Sequence, residues 1–276
     1  MEKKIRVIAL DLDGTLTNEK KEIPVRTFRT LMAAQEQGIR LILASGRPPY
    51  GMEPLCRQLQ MERYGGMMLA YNGGHIEDCS TGRTLVEVRL DEAFLPEMHE
   101  CQKQSGMTLM TYYGDKIYTE NPGSPYVQQS SRNNKMQIVQ VSDFVSDTPR
   151  PINKCLMVGP PEIVPEWEER WKRQFEGRMH IMHSTPYFIE FLPLGIDKGI
   201  ALSRLLPQLG MTTDNLMTFG DSHNDISMLR YAGIGVAMDN AEPEVKAAAD
   251  YVTDSNEHDG VATAIYHYGV VDVEHI

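Results

Sequence analysis

Val7-Ile8-Ala9-Leu10 is an apolar run of strand character. It ends on Asp11 and Asp13, which are separated only by Leu12 and followed by Gly14 and Thr15. A strand that stops on two carboxylates constrains the fold more than any other feature of the chain. Like charges at such an exit repel and are costly to desolvate unless something positive is held between them. A bound cation would satisfy them. An ordinary strand-to-turn exit, in which Asp and Gly only make the bend, would produce the same pattern. The rest of the chain has to choose.

The alternation continues beyond that strand. Runs at 7–10, 40–44 and 66–70 alternate with helical patterns. One spans 24–38, with Phe28, Leu31, Met32 and Gln35 at helical spacing before Gly38, and the next spans 47–60 and opens on prolines suited to a first turn. Strand, helix, strand, helix, strand specifies a parallel sheet with crossover helices. The pattern returns with an amphipathic segment at 198–210 bearing Ile200, Leu202, Leu205, Leu206 and Leu209, bent or shortened by Pro207. Strands at 216–220, 234–238 and 251–253 then alternate with helices at 224–233 and 243–250.

The middle reads differently. It holds a short strand, a helix with Phe94, Leu95, Met98 and Cys101 on one face, and strands at 108–114 and 116–120. A Gly/Pro/Ser-rich passage at 121–134 follows, then a strand at 154–159. After these come a helix with Trp167, Trp171 and Phe175 four apart as its core face, and strands at 178–184 and 187–192. Two helices over an antiparallel sheet is an α+β pattern. The expected architecture is therefore an α/β, Rossmann-like parallel-sheet core over 1–84 and 194–276, interrupted by an inserted α+β domain over 85–193. With 276 residues, the length prior of about two domains agrees.

Composition narrows the function classes. Lys plus Arg number 27 against 38 for Asp plus Glu, a net charge of −11. That balance argues against a nucleic-acid surface, which needs a basic face, yet permits a local cationic site for an anionic small molecule. Cys56, Cys79, Cys101 and Cys155 are scattered without paired spacing, so neither a disulfide framework nor a zinc site is expected. No segment approaches the ~18 apolar residues of a membrane span, and the run after Lys3, Lys4 and Arg6 is too short for a signal-peptide core. A cytoplasmic protein with no membrane partner, a monomer or weak homodimer, is the expectation.

In open parallel sheets, ligands gather at the carboxyl ends of the strands. The residues there are Asp11 and Asp13, then Ser45, Gly46 and Arg47, then Asn72, then Asp221, Asn224 and Asp225, with Lys198 opening the helix before the last strand. Three carboxylates with oxygen-only chemistry suit Mg²⁺. A serine at a helix start plus a lysine suits a phosphate. Together they describe a phosphoryl-transfer site, where catalysis is mostly positioning and charge stabilisation.

At these residues the chain resembles a known family. "DLDGTLT", "ASGR", the isolated lysine of "DKG" and "GDSHNDISML" are similar, in order and spacing, to motifs one to four of the haloacid dehalogenase (HAD) superfamily of phosphatases. "YNGG", "IEFLPLGIDKGIAL" and "DYVTDSNEHDGVATAI" resemble its Cof-type branch, whose type IIB cap is inserted between motifs two and three. The resemblance implies a Mg²⁺-dependent phosphatase for small phosphate monoesters, sugar phosphates first. It makes Asp11 the nucleophile and Asp13 the acid and base, whose backbone carbonyl would touch the metal. Asp221 would complete the metal site. Ser45 and the amides of Leu12 and Gly46 would hold phosphate, Lys198 would neutralise phosphate and Asp11 together, and Asn224 would bond the phosphoryl oxygens. Asp225 is expected in a supporting role beside Lys198 or a metal-bound water, with Asn72 also supporting. Arg47 either steers an anionic substrate or supports the sheet edge.

Two rivals remain at this level. Phosphomannomutase-like relatives share the first motif, but their fourth carries an extra glycine-containing stretch that this chain lacks. A non-catalytic phospho-ligand sensor would be favoured by a missing nucleophile, but Asp11 and Asp13 are both present. His180 and His183, three apart on a strand, point to opposite faces and read as structural or solvated, not as a metal pair. His223 reads as a solvent-facing loop residue. Of the neighbours Tyr112 and Tyr113, one should be buried and the other exposed.

Overall fold

The structure, a computed structural model, describes residues 5–271. Its strands are β1 (Val7–Leu10), β2 (Arg40–Ala44), β3 (Met67–Ala70), β4 (His75–Asp78), β5 (Arg83–Glu87), β6 (Thr108–Tyr113), β7 (Lys116–Thr119), β8 (Gln137–Gln140), β9 (Cys155–Val158), β10 (His180–Thr185), β11 (Phe188–Leu192), β12 (Leu216–Gly220), β13 (Ile234–Ala237) and β14 (Tyr251–Val252). Its helices are α1 (Val25–Glu36), α2 (Pro49–Gln58), α3 (Met61–Tyr64), α4 (Leu95–Ser105), α5 (Pro125–Asn134), α6 (Phe144–Asp147), α7 (Val164–Gln174), α8 (Lys198–Leu205), α9 (Ile226–Tyr231), α10 (Pro243–Lys246) and α11 (Gly260–His267). The chain divides into two compact units. One comprises Met1–Arg47, Met52–Glu87 and Asp197–Ile276, and the other Pro48–Gly51 and Val88–Ile196.

The first unit is an eight-stranded sheet of order β14-β13-β12-β1-β2-β3-β4-β5, parallel from β14 to β3 and antiparallel through β4 and β5. All residues of β1, β3, β12 and β13 are buried, as expected of apolar strands covered on both faces. β5 belongs to this sheet, pairing with β4. A boundary at 84/85 therefore cuts a strand, and the division falls after Glu87. At the return, Leu194 to Ile196 group with the insert and the division falls before Asp197. β4 carries no hydrophobic run of its own and is held by pairing to β3.

Asp197 caps α8 by accepting from the Ile200 amide at 2.6 Å, which makes Lys198 the first helical residue. Lys198, Ala201, Leu202 and Leu205 then take the buried face at helical spacing. Ile200 falls off that face and is exposed, contrary to its placement in the apolar stripe. Helix α8 gives way at Leu206–Leu209 to a 3-10 turn containing Pro207.

The second unit has a six-stranded sheet of order β10-β11-β9-β6-β7-β8, antiparallel except for β7 with β8. Trp171 of α7 and Phe175 just after it are fully buried and pack on Phe191, with ring centroids 5.4 and 5.6 Å apart. Tyr112 is buried and Tyr113 exposed. The Gly/Pro/Ser-rich passage contains helix α5, which the composition did not indicate. Pro125 starts it, Val127 and Ser130 are buried, and the Ser130 hydroxyl meets the Tyr112 hydroxyl at 2.9 Å. Tertiary contact overrides weak local propensity there. Among the described residues, no helix is long and apolar enough to cross a membrane.

Candidate active site

The strand order brings the ends of β2, β1 and β12 side by side, so residues far apart in sequence meet. Asp11, at the end of β1, is buried, and its Oδ1 accepts from Lys198 Nζ at 2.6 Å. The same ammonium donates to Asp225 Oδ1 at 2.7 Å, and both Lys198 and Asp225 are fully buried. Asp225 Oδ2 accepts the backbone amides of Asp221 and Ser222, each at 3.0 Å, in a capping box that closes the loop after β12. Both oxygens of Asp225 are thereby used, and it positions Lys198 and the loop.

Asp221 accepts from the Thr15 hydroxyl at 2.7 Å and from Ser222 at 3.2 Å. Gly14 makes this approach possible. Its φ is +90°, and a Cβ there would sit 2.4 Å from Asp221 Oδ2. Carboxylate oxygens of Asp11, Asp221 and Asp225 lie within 4.8 Å of one another.

The electrostatics follow from this crowding. Burial, together with the Asp225 and Asp221 charges, pushes the Asp11 carboxyl well above the ordinary aspartate range against the pull of Lys198. Burial pushes Asp221 up to about 6, with Thr15 opposing and Asp225 adding to the rise. Burial disfavours the Lys198 ammonium, but Asp11 and Asp225 outweigh it and hold its pKa above the usual lysine value. One lysine thus faces three carboxylates. Asp225 is saturated, leaving Asp11 and Asp221 as an oxygen-only pair that is under-compensated, which fits a hard divalent cation.

Asp13 behaves differently. Arg47 grips it from Nε to Oδ2 at 2.9 Å and from Nη2 to Oδ1 at 2.6 Å, and Lys21 Nζ reaches Oδ1 at 2.8 Å. Burial works against its charge, but Arg47 and then Lys21 prevail and lower its pKa. Arg47, expected either to steer an anionic substrate or to support the sheet edge, is engaged here with Asp13. Lys21 had no assigned part; the only sequence signal was a lysine pair shortly after the first motif.

Ser45 follows β2 and lies four residues ahead of α2, so it is not at a helix start. Its Oγ instead accepts the Arg47 amide at 3.2 Å, which shapes the turn. Leu12 is fully buried. Asn224 donates from Nδ2 to Asn72 Oδ1 at 3.0 Å, across 152 residues of sequence. His223 is exposed between Glu242 and Glu244, and Glu244 raises its pKa. His183 meets Glu168 at 2.5 Å on an exposed edge of the second unit. The four cysteines are unpaired.

A carboxylate cluster and a buried lysine at the ends of parallel strands define a phosphoryl-transfer class of site. Residues 8–265 match the haloacid dehalogenase-like hydrolase family. The chain belongs to that family, in its Cof-type branch, and is a phosphatase acting on phosphate esters. A haloacid dehalogenase-like hydrolase from Bacteroides thetaiotaomicron is 46% identical, with a TM-score of 0.92 over 96% of this chain and 99% of that one. The 5-amino-6-(5-phospho-D-ribitylamino)uracil phosphatase YcsE of Bacillus subtilis is 31% identical over 96% of each chain. The subclass IIB sugar phosphatase BT4131 is 24% identical, with a TM-score of 0.82 over 96% of this chain and 100% of that one, a likeness of fold.

Proposed function

We propose that the protein is a Mg²⁺-dependent phosphatase of small phosphorylated metabolites, sugar phosphates first, working through an aspartyl-phosphate on Asp11. The observation that carries this reading is the state of Asp11. Lys198 holds Oδ1, and Oδ2 has no hydrogen-bond partner among the described residues, as an in-line nucleophile requires.

Asp11 Oδ2 attacks phosphorus, the bond from phosphorus to the ester oxygen breaks, and the departing alkoxide takes a proton from Asp13, a step that requires Arg47 and Lys21, which here lower its pKa, to release its carboxyl. Water then attacks phosphorus, Asp13 accepts its proton, and the bond to Asp11 breaks to release phosphate. Lys198 offsets charge on Asp11 and the phosphoryl group throughout. Ser45, the Leu12 and Gly46 amides and Asn224 bind phosphoryl oxygens. Asp11, Asp221 and the Asp13 carbonyl would hold Mg²⁺, which supplies charge neutralisation on the transferring group. The inserted unit serves as the cap that selects the substrate, a reading supported by its separate core and by the crossings at 87/88 and 196/197 that bound Val88–Ile196.

Relatives point to phosphorylated sugar-like compounds, since YcsE is named for a ribityl phosphate and BT4131 as a sugar phosphatase. The test is a panel of hexose, pentose and polyol phosphates, nucleotides and p-nitrophenyl phosphate, assayed with Mg²⁺ and again with EDTA. Full turnover in metal-free buffer, or a phosphoryl label on a serine or histidine in acid-quenched protein, would sink the mechanism.

A further inference from the structure

The loop after β3 is strained backbone. Tyr71, Asn72 and Gly73 are consecutive left-handed residues, with φ of 52°, 56° and 101°. Asparagine tolerates that region and glycine favours it, but an aromatic residue there is an outlier of order 1–3 kcal/mol. Such strain persists only where the surroundings over-determine it. Here the Tyr71 amide donates to the Arg47 carbonyl at 3.1 Å and the Asn72 amide to the Ser45 carbonyl at 2.9 Å. Gly73 is pressed against α8, where a Cβ would lie 2.6 Å from Ala201 Cβ.

This backbone holds one side chain in place. Asn72 is 4% exposed, and its Oδ1 is occupied by Asn224 Nδ2. Its Nδ2 is buried with no hydrogen-bond partner among the described residues. A buried amide donor left unsatisfied costs about 1–3 kcal/mol, so native structures rarely keep one without a use. The orphaned nitrogen faces the backbone of the second motif, 3.2 Å from where a Cβ on Gly46 would be. Glycine at 46 leaves open the space that any other side chain would fill.

We propose that Asn72 is a direct phosphoryl-binding residue, donating from Nδ2 to a non-bridging phosphoryl oxygen beside Gly46. This goes beyond the supporting part assigned to it above, and it rests on that phosphoryl-transfer reading. Asn224 fixes the orientation of the Asn72 amide, and the strained turn fixes its position. The donor is therefore aimed before substrate arrives, the arrangement that stabilises developing charge without reorganisation.

Two variants separate donation from support. Asn72→Gly accepts the left-handed backbone and removes the side chain. Asn72→Asp keeps the oxygen that Asn224 needs and replaces the donor with a second oxygen. Donation predicts that both lose affinity for orthovanadate, measured by calorimetry with Mg²⁺ present. The loss should be about ten- to a hundredfold and smaller for inorganic phosphate, with kcat/KM falling by about 10²–10³. Asn72→Asp should be at least as impaired as Asn72→Gly. If Asn72 only steadies Asn224, Asn72→Gly will cost nothing further in vanadate affinity or kcat/KM when made in an Asn224→Ala background, and the inference is overturned. A lowered melting temperature with unchanged vanadate affinity overturns it equally. A wild-type protein that neither hydrolyses phosphate esters nor binds vanadate would bring down the phosphoryl-transfer reading itself, and this inference with it.

Discussion

Lys198 in the first unit and Lys154 in the second are both buried against carboxylates, but their surroundings differ in one respect. Lys154 meets Glu190 at 3.0 Å, with both side chains about 3% exposed, a buried ion pair between one lysine and one carboxylate. Lys198 meets Asp11 and Asp225 directly, with Asp221 close behind, so one positive charge faces three negative ones. A buried ion pair of balanced charge can often be replaced by similar-sized apolar residues at little cost. An unmatched cluster is unstable alone and gains from a further cation and from a ligand that uses its geometry. The second arrangement is that of a working site, the first that of a structural pair.

The largest effect that separates them is on turnover. Asp11→Asn removes a nucleophile and an excess charge together. Turnover should fall by several orders of magnitude and no aspartyl-phosphate should form, while the metal-free melting temperature stays at or above the wild type's. A labelled phosphoenzyme in this variant, found by acid-quenched mass spectrometry, would break the assignment.

Asp13→Asn comes next. Loss of the acid and base should cost ~10²–10⁴-fold on alkyl phosphates. With p-nitrophenyl phosphate, whose leaving group needs little protonation, the aspartyl-phosphate should accumulate, because dephosphorylation suffers more than phosphorylation. Equal impairment of both half-reactions in single-turnover kinetics would reassign Asp13.

In the second unit the effect should be on stability. Lys154→Met alone strands the Glu190 carboxylate and should destabilise by about 3–5 kcal/mol, whereas Lys154→Met with Glu190→Leu should recover most of that loss. Urea unfolding of the three proteins measures both. A double variant no better than the single would mean that groups beyond the pair hold these charges.

The smallest effect is metal-linked and depends on pH. The Asp221 carboxyl is raised from an ordinary 3.8 to about 6. The folded protein therefore holds this proton more tightly than the unfolded chain does. The stability it contributes is present below pH 3.8 and is lost as pH rises through about 6. Mg²⁺ needs the ionised form, so its binding should weaken as pH falls through about 6. At a hundred times its dissociation constant, Mg²⁺ should add about 2.7 kcal/mol at neutral pH, and much less at pH 5 by thermal unfolding. Equal stabilisation at both pH values would remove Asp221 from the metal site.

Much of this was legible because parallel sheets convert sequence order into spatial order. Once β1, β2, β3 and β12 are recognised by their apolar runs, the residues that follow each must lie along one edge, whatever the loops do. The position of Lys198 could be read too, because Asp197 caps α8 locally and the helical period then sets the buried face. Elements without a local signal were missed. β4 depends on its partner β3, and α5 lies in a passage whose composition suggests a loop. Ser45 belongs to a turn four residues ahead of its helix, a difference that proline-rich sequence does not resolve.

The sequence by itself determined the alternation of the parallel core strands and their helices, the interruption by a second architecture, and the carboxylates, lysine, serine and asparagines available at the sheet edge. These rest on periodicity and backbone preference, which act over a few residues. Only the tertiary structure decided which charge meets which. Lys198 divides itself between Asp11 and Asp225, 187 and 27 residues away, while Arg47 and Lys21 close on Asp13. It also decided that Asn224 would occupy one end of Asn72 and leave the other unsatisfied. Pairings of this kind are set by desolvation and by the meeting of side chains from separate strands, and neither leaves a mark on the local sequence.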